Sequence, residues 1–225
     1  MTPAISVVIP ALNEEGVIEP LLEQLTAARA DEIIVVDGRS TDRTVEVASR
    51  YATVLRVAPS RAGQMNAGAR ASRSGVLLFL HADVQLGPHA LDAIGAAMRD
   101  PEIVGGNFDV SYEGDDSAAH LFTWINRIRR PYGFFYGDSG IFCRRTVFDA
   151  LEGYREWPVM EDYDFARRLV KAGRMAYLDE PLRVSARRWR NGGFWSTVSS
   201  WFWIQSLYYA GVPPHRLARL YRHVR

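Results

Sequence analysis

Four short runs of β-branched and apolar residues, Ile5–Ile9, Ile33–Val36, Val54–Val57 and Val76–Leu80, punctuate the first third of the chain, and helix-patterned segments separate them. The run Ile33-Ile34-Val35-Val36 shows no polar alternation, as expected of a strand covered on both faces. Between the first two runs, Val17, Ile18, Leu21, Leu22 and Leu25 recur at helical spacing, Asn13 suits an N-cap, and Glu14 and Glu15 suit a first helical turn. Strand, helix and strand make a βαβ unit. A second unit follows, with a turn at Gly38 and a helix capped by Ser40 or Thr41 that runs through Tyr51. A Gly/Ala-rich helix from Gly63 to Ala71 leads to the fourth strand. Right-handed crossovers then place four parallel strands side by side.

Beyond His81 the pattern loosens. The sequence predicts a helix over Ala90–Met98, a strand over Val104–Val110, a strand over Ser139–Cys143 and a short helix to Leu151. A helix over Glu161–Ala172 follows, ended by Gly173, and then two short strands, Met175–Leu178 and Leu182–Val184. The aromatic and arginine-bearing stretch from His120 to Tyr136 is assigned no element. The expected class is α/β, with a mixed, mainly parallel sheet flanked by helices. At 225 residues the chain is one domain or one domain with an appendage, and 48% apolar with 24% charged residues leaves ample material for a core. Its single cysteine, Cys143, excludes an intramolecular disulfide and a multi-cysteine zinc site, and reads as a core residue. No basic and apolar leader opens the sequence, so the expected location is cytoplasmic.

In an open α/β sheet, ligands bind beyond the carboxyl ends of the strands. Pro10, Asn13 and Glu14 follow the first strand, Asp37 the second, and His81 and Asp83 the fourth. Asp37 suits a ribose or a base edge, the alternative being a turn or capping aspartate. Asp83, at the end of a wholly apolar strand, suits a hard divalent cation that bridges phosphates. The chain has no Gly-x-Gly-x-x-Gly after the first strand and no Gly-x-x-x-x-Gly-Lys-Ser/Thr anywhere, which argues against dinucleotide oxidoreductases and P-loop enzymes.

The segments Val8–Glu15 and Ile34–Thr44 together resemble the opening of family 2 glycosyltransferases of the Rossmann-like GT-A fold. The resemblance places the family's Asp-x-Asp metal motif on His81-Ala82-Asp83, with histidine in place of the first acid. It implies Mg²⁺ or Mn²⁺ at Asp83 and a phosphate or sugar contact at His81. Arg61–Gly68 resembles the family's segment beside the donor, which implies donor contacts at Arg61, Gln64 and Asn66; a helix packed tightly on the sheet is the other reading, for Gln64 above all. Met160–Leu169 resembles the Glu-Asp motif that opens a helix under the acceptor, so Asp162 is implied as general base with Glu161 beside the acceptor. The bland reading makes Glu161, Asp162 and Asp164 first-turn acids that balance the helix dipole. Asp138, within Gly137–Gly140, is implied as a contact to a sugar or acceptor group. In Arg187-Arg188-Trp189, Arg188 is implied at the diphosphate and Trp189 as a wall of the acceptor site.

The activity implied is inverting transfer of a sugar, UDP-linked, from a nucleoside-diphosphate donor to a hydroxyl acceptor that is either a small molecule or lipid-linked. A nucleotidyltransferase and a catalytically silent nucleotide-sugar sensor are the rivals. Within the family, the compact length, the Glu161-Asp162 and Arg187-Arg188-Trp189 contexts and the Tyr208–Pro214 segment look most like the small bacterial arsenosugar-biosynthesis-type glycosyltransferases. The division expected is a catalytic domain over 1–190 and a helical tail over 191–225. Eight arginines and no acid follow Glu180, so an acidic body carries a basic, aromatic tail. Its helix of about 16 residues is shorter than the roughly 20 needed to span a bilayer. Two expectations stand open for the tail: peripheral contact with the inner face of the cell membrane, or packing within the fold or a homodimer. The acidic body argues against nucleic acid.

Overall fold

The structure, a computed structural model, describes residues 3–112, 117–184 and 194–220. In chain order the elements are β1 (Ile5–Ala11), α1 (Ile18–Ala27), β2 (Glu32–Asp37), α2 (Thr44–Ala48), β3 (Thr53–Arg56), α3 (Arg61–Ala71), β4 (Val76–Phe79), β5 (Val84–Leu86) and α4 (Ala90–Ala97). They continue with β6 (Ile103–Tyr112), α5 (Ser117–Arg129), β7 (Ile141–Arg144), α6 (Arg145–Ala150), α7 (Glu161–Ala172), β8 (Arg174–Val184), α8 (Phe194–Tyr209) and α9 (Pro214–Leu217). Short 3-10 turns at Arg130–Tyr132 and Gly137–Ser139 lie between α5 and β7.

One mixed sheet, in the order β3-β2-β1-β4-β7-β6-β8-β5, organises the chain. The first four strands pair in parallel, β7 runs antiparallel to β4 and β6, and β5 runs antiparallel to β8. Both faces are covered, which is why the strand runs are continuously apolar. Val7, Ile9 and Leu78 face α1, α2 and α4, whereas Val8, Leu77 and Phe79 face α3, α6 and α7. Cys143 is fully buried, and burial pushes its thiol pKa well up, as expected of a core residue. Gly68 lets α3 lie close on β1, because a Cβ there would stand 2.3 Å from Val8 Cγ1. Gly106 does the same within the sheet: its Cβ would meet the Ala176 carbonyl oxygen at 2.1 Å.

Several local expectations need correction. Asn13 does not cap α1, which starts at Ile18 after Val17 with no side-chain cap; Asn13 instead lies in a loop with φ 56°. Neither Ser40 nor Thr41 caps α2, whose N-cap is Arg43 and which ends at Ala48 instead of Tyr51. The Asn13 and Ser40 side chains instead accept from backbone N–H groups across the two loops, and Asp42 accepts from Thr44 N at the start of α2. The two strands expected after Gly173 are a single strand, β8. Its register against β6 steps from Asn107↔Tyr177 to Asp109↔Pro181, so a bulge over Leu178–Glu180 absorbs the break that the proline suggested. Of the unassigned stretch from His120 to Tyr136, the part to Arg129 belongs to α5 and Arg130–Tyr132 form a 3-10 turn; the three-residue edge strand β5 was not foreseen. In the tail, α8 spans the 16 residues expected, the short α9 follows it, and 221–225 lie outside the described residues.

Candidate active site

At the carboxyl ends of β1 and β2 two loops are tied together. Asn13 Oδ1 accepts from Thr41 N (2.9 Å), Ser40 Oγ accepts from Asn13 N (2.9 Å), and Thr44 Oγ1 accepts from Glu14 N (2.8 Å). Asp37 is fully buried at the end of β2; its carboxylate accepts from Arg39 N and Ser40 N at 3.1 Å and faces Arg56 Nε at 3.3 Å. The turn reading of Asp37 therefore holds for this geometry, and the residue shapes the crevice floor through the β2–α2 loop. Pro10, opposite Val36, lies one residue before the end of β1.

Two expected donor contacts are occupied with backbone. Gln64 is buried, and its Nε2 donates to the carbonyls of Ala11 (2.9 Å) and Val36 (2.7 Å), pinning α3 to the ends of β1 and β2. Asn66 bonds both ways to Tyr154, accepting from its N at 2.9 Å and donating to its O at 2.7 Å. Both amides hold the scaffold, and Gly68 serves the packing of α3 on β1. Arg61 opens α3 and pairs at 3.4 Å with the buried Glu161, which ties the donor-side helix to the start of α7.

The decisive juxtaposition is at Gly137. Its N donates to Asp162 Oδ2 at 2.9 Å, and a Cβ built on it would stand 3.1 Å from both Asp162 Oδ2 and His81 Nε2. The end of β4 and the first turn of α7 thus meet at one point, although 81 and 162 are far apart in sequence. Asp162 Oδ1 also accepts from Tyr163 N at 2.7 Å, and each carboxylate oxygen has a second lone pair for a substrate proton. Met160, just before α7, has φ 64°; with Asn13 and Arg39 it puts three non-glycine residues in the left-handed region around the crevice. Asp164 departs from its neighbours: it is buried and paired with Arg168 (2.7 Å) and Arg155 (3.0 Å), a structural acid.

Asp138 stands beside this point in the 3-10 turn. Tyr112 donates to it over a long 3.4 Å, and Asn126 Nδ2 donates to the Tyr112 oxygen at 2.9 Å. Burial, and next the charge of Asp138, push the Tyr112 pKa well up, so the phenol stays protonated and faces the carboxylate as a donor. Burial likewise raises Tyr136, and the Asp162 charge adds to it, while Arg129 opposes.

The tail closes one side. Tyr136 bonds to Gln205, Tyr163 to Tyr209, and Tyr163 stacks on Tyr136 at 5.3 Å between ring centroids. Val159, Ile204 and Leu217 form a small apolar cluster beneath. These contacts of α8 were not anticipated residue by residue; only the aromatic density of the tail signalled them. Arg188 and Trp189 lie outside the described residues.

Asp83 follows β4 by four residues, next to His81. Among the described residues no three histidine, cysteine or acidic side chains cluster into a metal cage. A carboxylate with a neighbouring imidazole fits Mg²⁺ or Mn²⁺ only as a partial ligand set that phosphate oxygens of a donor complete.

The fold defined by this sheet is that of the GT-A glycosyltransferases. It matches S. aureus TarS in complex with UDP-GlcNAc at a TM-score of 0.63 and 19% identity, covering 82% of this chain and 59% of that one. It also matches glucosyl-3-phosphoglycerate synthase from Mycobacterium tuberculosis in complex with Mn²⁺, UDP and glucosyl-3-phosphoglycerate. There the TM-score is 0.60 at 20% identity, over 80% of this chain and 70% of that one. Within that class the chain belongs to glycosyl transferase family 2, whose family model matches residues 6–150. A curated relative, undecaprenyl-phosphate 4-deoxy-4-formamido-L-arabinose transferase of Pseudomonas aeruginosa, is 29% identical over 175 residues, 68% of this chain and 50% of its own length. The chain thus spans about half of that relative.

Proposed function

We propose that the chain transfers a sugar from a UDP-linked donor to a hydroxyl acceptor with inversion at the anomeric carbon, and that Asp162 is the general base. The observation that carries this reading is the meeting of His81 and Asp162 at Gly137, which sets a donor-side strand end against a carboxylate at a helix N-terminus. Asp162 takes the proton of the acceptor hydroxyl as that oxygen attacks the anomeric carbon. The bond to the nucleoside diphosphate breaks on the opposite side, and the diphosphate leaves with the electron pair. One carboxylate and no covalent intermediate give inversion. The amide of Gly137 orients the Asp162 carboxylate in the first turn of α7.

A divalent cation, Mg²⁺ or Mn²⁺, would be held by Asp83, with His81 adjacent, and would neutralise charge on the diphosphate. Arg61, braced by Glu161, and Arg188 are the cations proposed for the leaving group; Asp138 and Trp189 are proposed for the acceptor side. Pro10, Asn13, Glu14 and Asp37 form the floor proposed for the nucleoside. We keep 1–190 as the catalytic unit and 191–225 as a tail. The arsenosugar-type subgroup is proposed on the compact length, the Glu161-Asp162 and Arg187-Arg188-Trp189 contexts and the Tyr208–Pro214 segment.

The test is donor turnover, followed as UDP release, beside donor binding followed by thermal shift with and without Mn²⁺. Asp162→Asn should lower turnover by about 10²- to 10⁴-fold and leave donor binding in place. Asp83→Ala should remove the Mn²⁺-dependent part of the thermal shift. Intact turnover in both variants would refute the mechanism, and release of pyrophosphate from a nucleoside triphosphate would move the chain to the nucleotidyltransferases.

A further inference from the structure

Among its described side chains, α5 turns polar groups to the sheet and leaves an apolar row outside. Its polar residues face the sheet: Thr123 Oγ1 accepts from Tyr112 N at 3.3 Å, Asn126 donates to the Tyr112 hydroxyl, and Arg127 pairs with Asp109. One step on, Arg130 Nη2 donates to the Leu178 carbonyl at 2.9 Å. The apolar residues at helical spacing lie outside, with Leu121, Trp124, Ile128 and then Tyr132 exposed by 50%, 60%, 47% and 77%. A helix held to a sheet by the hydrophobic effect has the opposite arrangement. Hydrogen bonds and ion pairs fasten α5 instead, and its apolar row is left for another medium.

Two further features narrow what that medium is. Phe202 and Trp203 on α8 are also exposed, and α8 is joined to the segment after α5 through Tyr136 and Gln205. The tail is basic in sequence, with eight arginines and no acid after Glu180, and Arg129 adds a cation on α5 beside Arg127 and Arg130, which pair with Asp109. Exposed tryptophan, tyrosine and leucine beside a basic tail are the composition of a surface that lies in the headgroup region of an anionic bilayer. A bilayer accepts such a row without matched shape. No helix of the described residues is long and apolar enough to cross a membrane, so the attachment is lateral.

We propose that α5 and α8 form a docking face for an anionic lipid bilayer, and that the acceptor hydroxyl is carried by an amphiphile resident there. This rests on the transferase reading for its second half. The link is direct in the chain, because the segment that leaves α5 reaches Gly137, whose N bonds to Asp162.

The experiment is flotation of the full chain with vesicles of phosphatidylcholine alone and of phosphatidylcholine mixed with phosphatidylglycerol, at low and high salt. The chain should float with the anionic vesicles, less so at high salt and weakly with the neutral ones. The double variant Trp124→Gln/Ile128→Gln should bind about tenfold more weakly, with its melting temperature and its donor-induced thermal shift unchanged. No binding to anionic vesicles, or equal binding by the double variant, overturns the docking face while a persisting donor response leaves the transferase reading in place. A dimer in solution that the double variant dissociates, with no vesicle binding by either, assigns the face to a second copy and also overturns it. Vesicle binding without any donor response upholds the face and removes its connection to an acceptor.

Discussion

At the residue scale, three acids in one helical turn have three different fates. Glu161 is buried against Arg61, Asp164 is buried between Arg155 and Arg168, and Asp162 alone is aimed at Gly137. Asp164→Ala should therefore cost stability, about 3 kcal/mol, because it strands the largely buried Arg168 guanidinium. Urea unfolding would measure it. Gly137→Ala should act on activity instead. Its new Cβ, 3.1 Å from both Asp162 Oδ2 and His81 Nε2, displaces the two side chains by a few tenths of an ångström. Turnover should fall about tenfold with the melting temperature nearly unchanged. A melting temperature lowered in step with the activity would show that Gly137 serves packing alone. The sequence motif marked Asp162, whereas the role of Gly137 depends on where a distant strand ends and is invisible in the motif.

At the element scale, α3 is the strut between the crevice and the core. Gly68 sets its distance from β1, and Gln64, one turn earlier, is hydrogen-bonded to the last carbonyls of β1 and β2. Gly68→Ala should overpack against Val8 and cost about 1–3 kcal/mol, read as a lower urea midpoint at unchanged slope. The Gly/Ala composition of α3 was legible as close packing, and so were the boundaries of α7, whose acids, apolar positions and terminal glycine agree. The α5 helix was assigned no element although Leu121, Trp124 and Ile128 recur at helical spacing; what the sequence could not give is that this row faces outward. Edge strand β5, three residues long, is held by pairing with β8, which lies about a hundred residues on.

For the whole molecule, tyrosines fasten the tail to the catalytic body. Burial, with the hydrogen bond between Tyr163 and Tyr209 next, raises the Tyr163 pKa from 10.0 to about 12, while Arg167 opposes the shift. Tyr136 and Tyr208 are raised as well, burial being the largest cause in each. The sign is that of a neutral phenol preferred in the fold. Its contribution is complete below pH 10, where the unfolded tyrosine begins to ionise, and is lost as pH rises toward 12. Stability measured by denaturant should thus fall across pH 10 to 12, and Tyr163→Phe should flatten that fall. An identical alkaline profile in the variant would show that the cluster does not couple the tail to α7.

What the sequence determined by itself is the parallel half of the sheet and the chemistry at its strand ends. Uninterrupted apolar runs admit few arrangements, and acids at strand ends and a helix start can be read without coordinates. Tertiary structure decided what each polar group is for. Gln64 and Asn66 look like ligand contacts until the backbone atoms they bond are seen, and Asp37 is held by its own turn and by Arg56. A polar side chain serves whatever group the fold brings within hydrogen-bonding reach, and that partner commonly lies tens of residues away.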